Sequence, residues 1–360
     1  MAGEDQCSSP QPGEWVKGKV VGCGTFGAVN LAMSKVTGAL FVVKSAQSGS
    51  GLVSLENEAE ILETLNSPHI VRCVGKEFSS ETNGNHRLSV FLEYMAGGSL
   101  SDVAEKFGGF LDEQVIRLYT RKILQGLQYL HENGIVHCDL KCKNVLLDSS
   151  GNIKLADFGC AKRLDARTSR VSIHSWQPIC GTPLWMAPEV LRNEGLDFAS
   201  DVWSLGCTVV EMATGRLPWA ENISNPMAAV LRIACGDDMP QFPEKFSEEG
   251  LDFLAKCFAR DPKRRWTATQ LLCHPFVSGE NSRKENAFAC SPASVLDVRI
   301  LEVGYESDES ESATDQGLLS SKIPFSVRHC SNRKGMALEQ QEEEESNLFS
   351  AESWITVRSG

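Results

Sequence analysis

Four polar residues near the middle of this chain are of the types that handle a phosphoryl group. They sit in His137-Cys138-Asp139-Leu140-Lys141-Cys142-Lys143-Asn144 and, a little further on, in Asp157-Phe158-Gly159. Phosphoryl transfer needs metal ions to bridge the phosphates, a group to receive the hydroxyl proton, and a cation to position the γ-phosphate. Asp139, Lys141, Asn144 and Asp157 supply those chemical types. They flank a predicted hairpin, Val145–Asp148 and Asn152–Leu155 around the turn Ser149-Ser150-Gly151, so short loops can bring them together. Singly, each would more often be a turn former. At this joint spacing, chance is a poor explanation.

A second signal lies upstream, in Gly22-Cys23-Gly24-Thr25-Phe26-Gly27-Ala28-Val29. Glycines let backbone N–H groups close over phosphate oxygens where a Cβ would obstruct. A dinucleotide site uses the same G-x-G-x-x-G spacing but opens a helix and places an acid about twenty residues on. Here Ala28–Met33 reads as a strand, and the residue at that distance is Lys44, at the end of the apolar run Leu40–Val43. The segment is therefore a strand–loop–strand lid. Lys44 is either an edge residue pointing to water or a placed phosphate ligand. A helix predicted over Leu52–Leu65 favours the second. At about 100° per residue, Leu55, Ile61, Leu62 and Leu65 form its buried stripe, with Glu56, Glu60 and Glu63 on the wet face. Glu58 falls inside the stripe, where a carboxylate is costly unless it meets a cation. Lys44 is the cation at hand. The bland reading is a glutamate at the stripe's margin that bends out to solvent.

The elements that must position these residues change character along the chain. Trp15–Val21, Ala28–Ser34, Leu40–Ser45, Arg72–Phe78 and Leu88–Tyr94 read as strands, the last two around the polar loop Ser80–His86. From Ser99 onward helices dominate. Asp112–His131 is amphipathic, with Val115, Ile116, Tyr119, Ile123, Leu127 and Leu130 in one stripe. Ser200–Thr214 is apolar nearly all round, so a buried central helix is expected.

Bulk composition bounds the function classes. The 360 residues are 42% hydrophobic and 23% charged, as in a soluble globular protein. A net charge of −12 argues against a general nucleic-acid binder. The longest apolar run, about Val202–Ala213, is too short and too polar to span a bilayer, and the polar Met1–Glu14 has no apolar core of a signal peptide. The 13 cysteines form no C-x-x-C pair, and their odd count and scatter argue against a disulfide framework or a zinc site. Reduced thiols in the cytoplasm or nucleus are expected. After Ser278 acidic residues outnumber basic ones, with Glu306–Ser312 and Glu342–Glu345 the densest runs. This tail, residues 278–360, is expected to be largely disordered. Its two apolar islands, Ser294–Val303 and Leu348–Val357, are either docking segments for regulators or add-on packing.

Together, G-x-G-x-x-G-x-V, a strand lysine, an inward helix glutamate, H-x-D-x-K-x-x-N, D-F-G and A-P-E (Ala187-Pro188-Glu189) resemble the eukaryotic protein kinase superfamily. The likeness covers residues 15–277, roughly three quarters of the chain. Gly181-Thr182-Pro183-Leu184-Trp185-Met186 and Asp201-Val202-Trp203-Ser204-Leu205-Gly206-Cys207-Thr208 look like the MEKK-type mitogen-activated protein kinase kinase kinases, the short plant members above all. The resemblance implies an α+β, bilobal fold. A small antiparallel sheet with one helix (residues 15–94) would sit on a larger, mainly helical lobe (residues 96–277), with residues 1–14 as a flexible N-terminus. It implies ATP and Mg2+ as cofactors and a serine/threonine acceptor, the last from Lys141. By matched position, Lys44 holds the α- and β-phosphates and pairs with Glu58; Asp139 is the catalytic base; Lys141 steadies the γ-phosphate; Asn144 and Asp157 ligate magnesium. Val21, Gly22, Gly24 and Gly27 form the flap. The backbone of Glu93 and Met95 binds adenine behind the gatekeeper Leu92, and Val29, Val42 and Leu146 sandwich the base. Glu189 and Arg265 match a buried ion pair, and Thr182 a structural contact to the catalytic loop. The implied partner is a protein substrate, a MAP kinase kinase; neither nucleic acid nor membrane is implied.

Two positions depart from the family pattern. Cys138 stands where most members have arginine, which in those kinases draws in a phosphorylated loop residue. Activity is expected to depend little on that contact, or to use Lys162 or Arg163 instead. Candidate loop sites are Thr168, Ser169, Ser172 and Ser175. Val42 stands where alanine is common, adding bulk above adenine. The alternatives to a mitogen-activated cascade kinase are a serine/threonine kinase of another pathway and a pseudokinase used as a binding module.

Overall fold

A computed structural model describes residues 14–24, 27–47, 49–80, 86–164, 180–219 and 226–279. All described residues lie in one compact unit. The tail from residue 280 onward, its two islands, residues 1–13 of the N-terminus and the four candidate loop sites lie outside the described residues.

Five strands form the first sheet: β1 (Trp15–Gly24), β2 (Gly27–Ser34), β3 (Leu40–Ala46), β4 (Cys73–Ser80) and β5 (His86–Glu93), interrupted after β3 by helix α1 (Gly49–Leu62). Their order is β1-β2-β3-β5-β4, and every pairing is antiparallel. Alternation along β3 divides its side chains between the two faces. Phe41 and Val43 pack outward with Ala32 and Phe91 in a small separate cluster, closed edge-on by Trp15. Val42 and Lys44 take the other face. Val29 is registered opposite Lys44, and Leu92 opposite Val42, so these residues share the inner side of the sheet. The alternation that makes β3 a strand thus aims Lys44 inward.

Helix α1 begins three residues earlier than the sequence predicts and ends at Leu62 instead of Leu65. Beyond Leu62, the amides of Thr64 and Leu65 reach back only three residues, to Ile61 and Leu62. The last turn tightens into 3-10 form, which satisfies terminal carbonyls without extending the α-helix. The β4–β5 ladder runs past the apolar stretch to Ser79↔Arg87 and Ser80↔His86, because backbone pairing continues where hydropathy no longer marks it.

The remainder is mainly helical. Short strand β6 (Gly98–Ser99) leads into α2 (Leu100–Lys106), capped by Ser99 and Asp102 reciprocally, and then α3 (Glu113–Glu132), capped by Asp112. Strands β7 (Ile135–Val136), β8 (Val145–Leu147), β9 (Ile153–Leu155) and β10 (Lys162–Arg163) carry the chain past the catalytic-type turns. Helices α4 (Pro188–Leu191), α5 (Phe198–Thr214), α6 (Pro226–Cys235), α7 (Glu248–Cys257), α8 (Ala268–Leu272) and α9 (Pro275–Ser278) complete it. As its composition requires, α5 is buried on nearly every side. One continuous apolar core runs from Leu55 and Val90 in the small lobe to Trp203 and Phe258 in the large one. No described helix is long and apolar enough to cross a membrane.

The cysteines require a correction. Cys160 and Cys180 form a disulfide, against the expectation of reduced thiols throughout. Their separation of 20 residues carries no signal in the sequence. They meet because the folded chain returns to the start of the segment it has just left. Cys73, Cys138, Cys142, Cys207, Cys235, Cys257 and Cys273 are free thiols.

Candidate active site

Lys44 reaches from the inner face of β3 to two carboxylates, Glu58 at 2.6 Å and Asp157 at 2.7 Å. Glu58 lies on the buried side of α1 and is 1% exposed. Its second oxygen accepts from the amide of Phe158 at 3.3 Å. Burial alone would lower the Lys44 ammonium, but Glu58 and Asp157 outweigh it and hold it well above the ordinary lysine range. Burial likewise opposes the charge on Asp157, yet Lys44 keeps that carboxyl below the usual carboxylate range. Glu58, the most deeply buried of the three, is left raised by burial despite Lys44. One ammonium therefore balances two carboxylates. It ties the sheet, α1 and the Asp157 turn into one arrangement.

Asp139 anchors the second cluster. Its Oδ1 accepts from the Thr182 amide at 2.9 Å and the Thr182 hydroxyl at 2.6 Å. Its Oδ2 accepts from Lys141 Nζ at 2.8 Å and Asn144 Nδ2 at 2.9 Å. Lys141 also reaches the Thr182 hydroxyl at 2.6 Å, so Thr182 makes the expected contact to the catalytic-type loop. The two clusters join through Ala156, the residue before Asp157. Its amide donates to Asn144 O at 2.9 Å, and its carbonyl lies 3.1 Å from His137 Nε2. His137 Nδ1 accepts the Asp139 amide, so the proton sits on Nε2, which donates to Ala156.

Three supporting residues carry no role in the sequence pattern: Asp201, Glu211 and Asn57. Cys138 and Asp157 adopt left-handed backbone angles, φ 67° and 66°, which non-glycine residues hold only when their surroundings enforce it. Asp201, at the start of α5 and fully buried, supplies that enforcement at Cys138. It accepts from the amides of His137 at 2.9 Å and Cys138 at 3.0 Å, and lies 2.9 Å from His131 Nε2. Glu211, one face further along α5, accepts from the Cys142 amide and the Trp185 indole. Asn57, beside Glu58, donates its amide to the carbonyls of Phe158, Gly159 and Ala161 at 3.0–3.3 Å. A polar residue at helical spacing from an apolar stripe was the only available hint, and it does not reveal a partner about a hundred residues away.

The remaining predicted residues are spread over both lobes. Gly22 and Gly24 end β1, and Gly27 opens β2 with φ +138°, where a Cβ would lie 2.8 Å from the Ser45 carbonyl. Thr25 and Phe26 lie outside the described residues. Val21 is exposed and Val29, Val42 and Leu146 half-buried, while Leu92 and Met95 are buried. The Glu93 side chain serves as a strut, taking Lys154 and the Arg72 amide at 2.7 Å each. Arg163 donates to Thr64 at 3.0 Å. Arg265 grips Glu189 with two bonds, 2.7 and 3.1 Å, both side chains buried.

A small antiparallel sheet whose inner lysine is shared by a helix glutamate and a turn aspartate, above a helical lobe, is the architecture of a protein kinase. A sequence model of the protein kinase domain matches residues 15–277, and the chain belongs to that family. Over 282 residues it is 43% identical to mitogen-activated protein kinase kinase kinase 20 of Arabidopsis thaliana, covering 76% of this chain and 81% of that protein. It is 42% identical over 284 residues to mitogen-activated protein kinase kinase kinase 3 of the same plant, covering 76% and 42%. It is 43% identical over 273 residues to mitogen-activated protein kinase kinase kinase A of Dictyostelium discoideum, covering 73% and 28%. The chain thus spans less than half the length of two of these relatives and most of the third. Within the protein kinases it groups with the mitogen-activated protein kinase kinase kinases.

Proposed function

We propose that the chain is a serine/threonine kinase of the MAP kinase kinase kinase class, moving the γ-phosphate of ATP to a hydroxyl of a MAP kinase kinase. The observation that carries this reading is the convergence between the lobes of one ammonium, two carboxylates and an amide: Lys44, Asp157, Asp139 and Asn144, bridged through Ala156. The donor set fits a hard cation, which takes oxygen ligands. Asn144 commits its Nδ2 to Asp139 O and Oδ2, leaving its amide oxygen as an acceptor, and Asp157 meets Lys44 through a single oxygen. Asn144 and Asp157 would hold Mg2+. When bound, the magnesium neutralises charge on the phosphate oxygens.

Each of the chain's own groups has a step to perform. Lys44, held by Glu58, grips the α- and β-phosphates beneath the flap of Val21, Gly22, Gly24 and Gly27. The backbone at Glu93 and Met95 takes the adenine edge, with Leu92 behind it and Val29, Val42 and Leu146 on its faces. Asp139 receives the substrate hydroxyl proton. Its carboxylate already accepts four donors, about as many as two oxygens can take. The incoming hydroxyl therefore replaces Thr182 Oγ1 or Lys141, and Lys141 moves to the γ-phosphate. Cys138 offers no cation, so activity persists after phosphatase treatment. The compartment we propose is the cytoplasm, the nucleus or both, where such substrates and ATP are found.

The test uses the full chain, radiolabelled ATP and a panel of MAP kinase kinases inactivated in their own catalytic residues. Asp139→Asn is expected to cut transfer by about 10²–10⁴-fold while leaving nucleotide affinity near wild type. Asp157→Asn is expected to abolish the tightening of ATP binding by magnesium. ATP binding with no transfer to any acceptor would reverse the reading in favour of a binding module.

A further inference from the structure

The disulfide joins two stretches that the mechanism needs in register. Cys160 ends the single turn Phe158–Cys160, directly after Asp157, and its side chain is buried. Asn57 holds that turn to α1 through the Phe158 and Gly159 carbonyls. Cys180 precedes Gly181 and Thr182. Gly181 has φ +125°, and its backbone lies so close to the Cys138 carbonyl that a Cβ would collide with it. Thr182 is bonded to both Asp139 and Lys141. The Cα atoms of Cys160 and Cys180 are 5.3 Å apart, within the range a disulfide spans without backbone movement. One covalent bond therefore sets the distance between the turn carrying Asp157 and the stretch carrying Thr182. Without it, Thr182 is held against Asp139 by hydrogen bonds. The bonded state coexists with the Lys44–Glu58–Asp157 triad and the Thr182–Asp139–Lys141 cluster. The oxidised form is thus one with the site assembled.

We propose that Cys160 and Cys180 are a reversible oxidation site, a clamp between the Asp157 turn and Thr182 that raises kinase activity when closed; this rests on the function proposed above. The chemistry balances with a peroxide as oxidant. One thiolate attacks a peroxide oxygen, giving a sulfenic acid and, after protonation of the leaving hydroxide, water. The second thiol displaces the sulfenic hydroxyl as a second water, so two thiols and one hydrogen peroxide give one disulfide and two waters. A dithiol reductant reverses it by exchange, leaving as its own disulfide. The ligand class at this site is therefore a small peroxide in one direction and a dithiol in the other.

The full chain is assayed after reduction with dithiothreitol and after oxidation by stoichiometric hydrogen peroxide quenched with catalase. Non-reducing peptide mapping reads the Cys160–Cys180 link. The oxidised protein is expected to show the linked peptide and an initial rate about fivefold or more above the reduced protein, the lower end of ordinary coupling between two states. Cys160→Ser and Cys180→Ser should each keep the reduced wild-type rate and lose the response to peroxide. The double variant Cys235→Ser/Cys273→Ser, which removes the exposed free thiols of the described residues, should keep the response. Hydrogen exchange at the Thr182 amide should be slower in the oxidised wild type, a readout that needs no phosphate transfer. If no form transfers phosphate yet exchange still slows on oxidation, the function fails and the clamp stands. Absence of the linked peptide, an equal or lower oxidised rate in an active enzyme, equal exchange, or a response surviving in Cys160→Ser would overturn the clamp.

Discussion

Asp201 shows how a residue remote from the chemistry controls it. Three donors converge on its buried carboxylate: the backbone amides of His137 and the left-handed Cys138, and the His131 ring. Burial alone would raise this carboxyl, but His131 and the His137 amide hold it below the usual range. A carboxyl lowered on folding stabilises the protein above its unfolded pKa, and that stability drains as pH falls through the folded value. The wild type is therefore expected to lose stability steeply below about pH 4. Asp201→Asn turns an N–H2 toward backbone N–H groups and leaves a donor unpaired. It should start about 1–3 kcal/mol less stable at neutral pH and fall less steeply in acid. Denaturant midpoints from pH 7 to 3 read both effects. Its kinase rate should drop about a hundredfold, the scale of an ångström-sized misplacement of the loop bearing Asp139.

At the scale of elements, α1 is tied to the Asp157 turn because Asn57 and Glu58, consecutive in that helix, both bond to the turn. Asn57→Leu removes the amide that meets three carbonyls; the Phe158 carbonyl keeps the Ala161 amide, while the other two lose this donor. It is expected to cost about 1–2 kcal/mol, by the usual worth of such bonds, and to lower kcat more than it raises KM for ATP. An unchanged kcat in steady-state kinetics would mean that the turn holds itself. Glycine matters where a loop passes tightly. Gly181 has a positive φ and no room for a Cβ beside Cys138. Gly181→Ala should therefore cost about 1–3 kcal/mol and pull Thr182 off Asp139, visible as loss of activity with a lower melting temperature. The same change at Gly27, φ +138° and against Ser45 O, is expected to weaken nucleotide binding more than stability, since it acts on the flap.

Across the whole molecule, the buried Arg265–Glu189 pair ties the end of the Thr182 stretch to the segment before α8. Arg265 also donates to the carbonyls of Ala199 and Ala259 and lies over the Trp203 ring. Arg265→Leu strands the Glu189 carboxylate in the core and takes a donor from the Ala199 and Ala259 carbonyls. Breaking one side of a buried pair costs about 3–5 kcal/mol, enough to threaten a domain of ordinary stability. Arg265→Leu with Glu189→Leu should recover part of that loss, as a double-mutant cycle by chemical denaturation would show.

Sequence alone determined which chemical groups this protein brings to bear and the order of elements that carries them. The apolar stripe of the helix over Leu52–Leu65 turned Glu58 inward and named Lys44 as the cation at hand; the sheet then set Lys44 on the face opposite Phe41 and Val43. The composition of 200–214 required a buried helix, and the glycines followed by a strand and a lysine pointed to a lid between two strands. Those signals are legible because they are local periodicities, set by backbone geometry within a few residues. Only the tertiary structure decided that Asp201 holds the Cys138 backbone and that Asn57 grips the Asp157 turn. It alone decided that Cys160 meets Cys180. Each of these joins residues whose separation in the chain leaves no period to read. Their partners are set by how the two lobes and the returning segment pack, and that packing is a property of the whole fold.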